Sequence, residues 1–446
     1  MGFWVVSGFY LPPVFPMKFP RVLSCLGLFF LYPYVGSGVE PVSGGEWPQF
    51  RGPRGDGVAE SKNLPVEFGE GNGVRWKTAL EGKAWSSPVV WGSQVWLTNA
   101  TADGHKLSVV RLNRETGAVE LQKVLFEVEN PQFCHEFNSY ASPTPILEDG
   151  RLYASFGSPG TACLDTKTGT VLWERRDLEC NHFRGAGSSP VIHGNLLLMN
   201  FDGSDFQYVV ALDKQTGKTV WKTARSCDYR DLNAEGKPTG EGDFRKAFGT
   251  PQVAVVQGVE MVLSAGAKAH YAYELATGRE LWRYEHGNHS TSARPLVHGE
   301  LGLFTSGYGK SQLHAVKLTS RGLLDDSALT YRVQKGIPIK PSLLLVDGLI
   351  YLVEDGGFAA CLDAADGKEI WRQRVEGAYS ASPVYAGGRI YLCGEKGVVT
   401  VLKAGREFEK LAENRFEDGF LASPAVAGDA LFLRSRSHVY RVDGGK

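Results

Sequence analysis

From Ser188 the chain reads as short apolar runs cut by polar turns. Leu196–Phe201 ("LLLMNF") follows a "GN" turn and stops at "DGSD". Gln207–Asp213 ("QYVVALD") then stops at "KQTG", and Lys218–Thr223 ("KTVWKT") closes the unit. Runs of this length, flanked by Gly, Asp and Asn, predict strands joined by tight hairpins. Together with the preceding "SSPVIH" they make one four-stranded unit. No stretch of ten or more residues beyond the N-terminus keeps a 3.6-residue apolar period, so helix is not expected.

The unit repeats. "ACLDTKTGTVLW" (Ala162–Trp173), "ALDKQTGKTVW" (Ala211–Trp221) and "ACLDAADGKEIW" (Ala360–Trp371) are copies of one phrase. A proline signature precedes each copy, at Pro88, Pro143, Pro190, Pro251, Pro295, Pro341, Pro383 and Pro424, spaced by 55, 47, 61, 44, 46, 42 and 41 residues. Short strands at periods of ~40–50 residues predict a β-propeller. Proline cannot donate to a ladder and suits the innermost, edge strand of a blade. The tryptophan suits the outermost strand, where a large ring covers the seam to the next blade; Leu121 stands in its place in "TGAVEL". The last unit stops after three strands, and "VRWKTAL" (Val74–Leu80) is an unpaired tryptophan strand. The expected fold is therefore all-β: an eight-bladed β-propeller of four-stranded blades over residues 74–446, closed by an N-terminal strand that completes the last blade. Residues 39–73 are expected to be an extended N-terminal segment.

Residues 1–38 differ. "MKFPRVLSCLGLFFLYPYVGSG" (Met17–Gly38) has Lys18 and Arg21, an apolar run and then small residues, the plan of a secretory signal peptide, with Met17 a second candidate start and cleavage expected near Val35–Gly38. The run is too short to span a membrane and carries Pro33. The mature chain is thus expected to be exported, to the periplasm or cell envelope, with no integral membrane span. Of seven cysteines, Cys25 leaves with the signal, and the other six contain no CxxC. Cys163 and Cys361 share one place in the repeat and read as core fillers. Cys134 and Cys180, at similar offsets from their signatures, are a candidate disulfide in an exported protein.

Composition changes the picture in two ways. Glycine, 54 of 446 residues, exceeds the usual ~7%, and the excess lies in turn phrases, which supports many hairpins. Net charge is −1, with 48 Lys and Arg scattered along the chain; without a basic cluster, nucleic acid is not an expected partner. A monomer is expected.

The repeat "SPVV…G…VWL…ALD..TGK..W" resembles the pyrroloquinoline quinone (PQQ) repeat of bacterial eight-bladed propellers, over about residues 74–446. The resemblance implies two branches. One holds quinoprotein alcohol dehydrogenases, which bind PQQ and Ca²⁺ on the axis; the other holds cofactor-free propellers, including the lipoprotein of the outer-membrane β-barrel assembly machinery. The opening "WPQFRGPRGDGVAES" (Trp47–Ser61) also resembles exported PQQ-like propellers. The dehydrogenase branch has an adjacent Cys-Cys pair beside the quinone, and no two cysteines adjoin here. No CxxCH haem motif is present either, so no cofactor is expected.

Loops carry function on such scaffolds. Those leading into the proline signatures all emerge on one face. They bring Trp85, His135, Asn138, Tyr140, His182, Arg184, Lys246, His286, His289, Arg294, Lys340 and Tyr379 toward one mouth, a candidate site for a protein segment or an anionic or sugar-like ligand. Polar loops that merely wet the mouth are the bland alternative, with Arg184 and Arg294 pairing with acids such as Glu136. The four histidines come from three loops without a carboxylate pattern, and a metal site is not expected. The long connection Ser226–Phe248 reads as a lid or a plain surface loop; Glu241, Asp243 and Arg245 in it are acid–base candidates that no second carboxylate motif joins. The expected function is that of an exported, non-catalytic binding or scaffolding propeller. A PQQ-dependent alcohol or sugar dehydrogenase is the alternative, and a hydrolase or lyase using the loop face is a further one.

Overall fold

The third unit folds as its turns predict. In the computed structural model, which describes residues 1–2 and 45–444, Val191–His193, Leu196–Asp202, Gln207–Asp213 and Thr219–Ala224 form one antiparallel meander. The candidate signal segment, Met17 and Cys25 lie outside the described residues. Eight such sheets follow one another in chain order. The eighth combines Ala425–Ala427, Ala430–Arg434 and His438–Asp443 with Val74–Ala79, which pairs antiparallel to His438–Asp443 and closes the ring. Two blades gain a parallel fifth strand. Val58–Ala59 adds to the inner edge of the seventh, beside Val384–Ala386, and Gly322–Leu324 adds to the outer edge of the fourth, beside Glu280–Glu285. No helix among the described residues is long and apolar enough to cross a membrane.

A belt of hydroxyls sets the register of the inner strands. The backbone N–H of Ser87 donates to Thr144 Oγ1, that of Thr144 to Ser189 Oγ, and that of Ser189 to Thr250 Oγ1, at 2.9–3.0 Å. Farther round, Arg294, Ser342 and Ser382 donate in the same way to Ser342, Ser382 and Ser423. This corrects two of the eight signatures. The second inner strand, Ile146–Glu148, begins after Pro145, not Pro143, and the sixth, Leu344–Val346, begins after Leu343, two residues past Pro341. What repeats physically is the hydroxyl that satisfies the neighbouring blade's backbone donor, and proline accompanies it only in most blades.

The outer tryptophans act as hooks between blades. Trp76, Trp173 and Trp221 each donate Nε1–H, at 2.9 Å, to a backbone oxygen of the next blade: Arg114, Lys214 and Leu275. The ring lies flat on the turn glycine of that blade. At Gly217, with φ of 72°, a Cβ would stand 2.6 Å from the Trp173 ring, so both the left-handed backbone and the close approach require glycine. Leu121 takes the hook's place against Gly169.

Residues 45–73 are built into the ring. Trp47 bridges Val90 of the first blade, and Pro48 O accepts from Leu147 N of the second. Arg51 donates to Leu343 O and Pro383 O of the sixth and seventh blades, and Ser61 Oγ donates to Asp429 Oδ1 of the eighth, at 2.7 Å. Arg294 of the fifth blade reaches back to Phe50 O at 2.8 Å. The segment crosses one end of the channel and blocks it.

Candidate functional site

With one end blocked, the channel is a blind cavity of about 560 Å³ that opens among the loops preceding the inner strands. Phe50 and the hydroxyl belt line it below; Trp85, Phe137, Arg184, Lys246 and Tyr308 line it above. Of the residues expected at the mouth, Trp85, His135, Asn138, Arg184, Lys246, His289 and Lys340 line this cavity.

The others serve structure. Tyr140 donates its hydroxyl to Gln132 O at 2.9 Å, and Tyr379, fully buried, donates to Glu376 O at 2.7 Å. The His182 ring is buried, its Nε2 accepts from Ser158 N at 3.0 Å, and burial pushes its pKa down to about 4. His286 packs against His270 and His314 in the seam between the fourth and fifth blades, away from the mouth. Arg294 is the largest correction. It is buried below the cavity, donating to Phe50 O and Gln49 Oε1, because its position in the belt points the side chain down the channel.

The charges at the mouth are already paired. Arg184 Nε lies 3.3 Å from Asp243 Oδ1, and the same oxygen accepts from Lys246 Nζ. Glu136 is therefore not the partner of Arg184. Burial raises the Asp243 pKa, but Lys246 and Arg184 outweigh it and hold the carboxyl below its ordinary value. Lys340 Nζ stands 3.2 Å from Glu395 Oε1 and 3.5 Å from Asp355 Oδ1, and 4.3 Å over the Phe137 ring. The long connection that supplies Asp243 is pinned by a two-pronged Arg245–Asp231 pair at 2.7 and 2.9 Å and by a bridge between Asp202 and Ala247.

Sequence reasoning did not place Phe50, Phe137 or Tyr308 at the mouth, and it named Asp243 only within the long connection. For Phe50 and Asp243 the signal was present but unplaced, in "WPQFRG" and in the 61-residue spacing. Phe137 and Tyr308 are 41% and 61% exposed, so the mouth presents exposed aromatic rings, with Lys340 over Phe137 and His289 beside Tyr308. Cys134 and Cys180 are free thiols, which corrects the candidate disulfide. The Cys134 sulfur faces the backbone oxygens of His135 and Arg184, and the Cys180 sulfur faces Phe206 O and His182 Nδ1. Among the described residues no group of three or more His, Cys, Asp or Glu side chains is arranged to hold a metal ion.

A family described as outer membrane protein assembly factor BamB matches residues 58–179, 108–226, 205–319 and 336–407, most of the propeller. The chain belongs to this PQQ-repeat propeller family. Both branches of the family are represented among its relatives. A quinoprotein ethanol dehydrogenase of Pseudomonas aeruginosa is 28% identical over 161 residues, which is 35% of this chain and 23% of that enzyme. The chain thus aligns with only about a quarter of the enzyme's length. The quinohemoprotein alcohol dehydrogenase of Comamonas testosteroni superposes with a TM-score of 0.68 at 13% identity, covering 90% of this chain and 81% of that one. BamB of Moraxella catarrhalis superposes at 0.54 and 13% identity, covering 83% and 99%. At such identities the superpositions establish a shared fold.

The donor set at the mouth of this PQQ-repeat propeller does not fit calcium. Calcium takes six to eight oxygen ligands, carboxylates among them. Asp243 is the one carboxylate lining the cavity among the described residues, and two cations hold it.

Proposed function

We propose that the chain is an exported, monomeric, non-catalytic β-propeller that binds another molecule through the open mouth of its blind channel. The observation that carries this reading is the pairing of charges there. Asp243, Asp355 and Glu395 are each engaged by a cation, which leaves no unpaired carboxylate lining the cavity among the described residues, while the Trp85, Phe137 and Tyr308 rings line the mouth. Aromatic faces around a cavity of this volume suit a binding module. The dehydrogenase reading draws on the enzymes among the relatives.

One experiment separates the two. Mature protein incubated with PQQ and Ca²⁺ is expected to give no alcohol oxidation with an artificial electron acceptor, and turnover above a cofactor-free control would overturn the proposal. Intact mass of the native protein, with the Val22–Val35 run absent, is the matching expectation for export.

A further inference from the structure

The hydroxyl belt has more donors than the fold consumes. Thr144, Ser189, Thr250, Ser382 and Ser423 each accept a backbone N–H from the preceding blade through the hydroxyl oxygen. Each is at least nine-tenths buried, and each lines the cavity. A hydroxyl that accepts in this way still has one O–H to give. No oxygen of the described residues takes those five protons, so a ring of donors faces the axis.

Two buried guanidiniums lie below that ring without an acid in contact. Arg51, 1% exposed, donates to the backbone oxygens of Asp56, Leu343 and Pro383, and Arg294, 3% exposed, donates to Phe50 O and Gln49 Oε1. The Nε of each is buried with no partner. Asp56, whose charge is felt by both, makes its own contacts with Arg54 at 2.9 Å and with Val58 N. Desolvation lowers the Arg51 and Arg294 pKa values to about 10 and about 9, so both stay charged at neutral pH. At the rim, Arg184 and Lys246 share a single carboxylate. Unused hydroxyl donors and an excess of cations over acids thus lie toward the closed end of the channel, where burial strengthens both.

We propose that the base of the channel is an oxyanion site, in which the Thr144, Ser189, Thr250, Ser382 and Ser423 hydroxyls donate to a carboxylate, phosphate or sulfate group carried at the tip of the ligand. This deepens the binding-module reading and rests on it. The tip enters past the aromatic rim, because Phe50 and Arg51 close the other end. The ligand is therefore amphipathic: an anionic head reaches the belt, and an apolar or ring-bearing body lies against Trp85, Phe137 and Tyr308.

Calorimetric titration of the mature protein with inorganic phosphate, sulfate and acetate tests the site and tells the oxyanion types apart. At least one is expected to bind, more weakly as chloride rises. The double variant T144V/T250V is expected to lose about tenfold or more in affinity, one to two charge-assisted hydrogen bonds by the usual conversion. Valine also removes the belt acceptors, so T144S/T250S, which keeps both hydroxyls, is expected to restore binding. Absence of binding by all three anions overturns the site, as does unchanged affinity in the valine pair or failure of the serine pair to rescue. A neutral disaccharide that binds when no anion does would overturn the oxyanion site and leave the binding module standing.

Discussion

Residue type alone does not say which arginine is free. Arg184 and Arg294 both lie in loops that lead into inner strands, those of the third and fifth blades. Yet Arg184 is 38% exposed at the rim, while Arg294 is buried and holds the N-terminal segment across the channel. Their substitutions should differ in kind. R184A removes a partly exposed ion pair, a change within about 1 kcal/mol. R294A strands the Phe50 carbonyl and the Gln49 amide oxygen in a buried site, and should cost about 2–4 kcal/mol. Urea unfolding checks both, and equal midpoints for the two variants would contradict this assignment. The same limit explains Tyr140, Tyr379 and His182. Their loop positions were legible in sequence, but the partners that turn them inward, Gln132 O, Glu376 O and Ser158 N, are backbone groups that no residue pattern records.

Elements were legible wherever turn chemistry and apolar runs agreed, hence the clean reading of the third blade. The inner strands are three residues long in most blades, and there the proline cue slipped by two residues at Pro143 and Pro341, where the belt hydroxyls of Thr144 and Ser342, not the prolines, mark the register. Packing between elements has a pH signature. His270 and His286 of the fourth blade and His314 of the fifth form one buried cluster. His270 Nε2 lies 3.0 Å from His314 Nδ1, and Tyr284, Asp326 and Arg332 face the cluster from beside it. Burial lowers the pKa of His286 to about 3 and that of His314 to about 4. An unfolded histidine takes a proton near pH 6.5, whereas these remain neutral in the fold until far lower pH. Between those values the unfolded chain binds more protons, so stability falls as pH falls, by up to about 1.4 kcal/mol per pH unit for each histidine. Unfolding at pH 7 and pH 5 should show this loss, and H286Q should flatten the slope. A midpoint that does not move between the two pH values would refute the neutral buried cluster.

At the scale of the whole molecule, the chain closes its ring twice. The first closure is the strand Val74–Ala79, whose pairing with His438–Asp443 supplies the outer edge of the eighth blade. Trp76 packs against Phe432 there and hooks Arg114 O of the first blade. The second is the segment from Trp47 to Ser61, which ties the inner edges of the first, second, sixth and seventh blades, and the turn at Asp429 of the eighth, across the channel. Only the first was legible, because an orphan strand has a tryptophan and an apolar pattern, whereas a plug built from Gly, Pro and Arg has no period to read. The two closures should therefore fail differently on truncation. Starting the chain at residue 62 opens the floor of the channel but leaves the eighth blade its four strands. It should lower the melting temperature and abolish oxyanion binding, while near-UV circular dichroism still reports packed aromatic residues. Starting at residue 81 also removes the outer strand, bares the edge of His438–Asp443 and leaves Phe432 without its aromatic partner. An unpaired, apolar strand edge templates association with other chains, so this product should lose cooperative unfolding and aggregate. A chain starting at residue 39 keeps both closures and should melt as the mature protein does. If the chain starting at residue 81 melts as cooperatively as the one starting at residue 62, the N-terminal strand is not what holds the propeller shut.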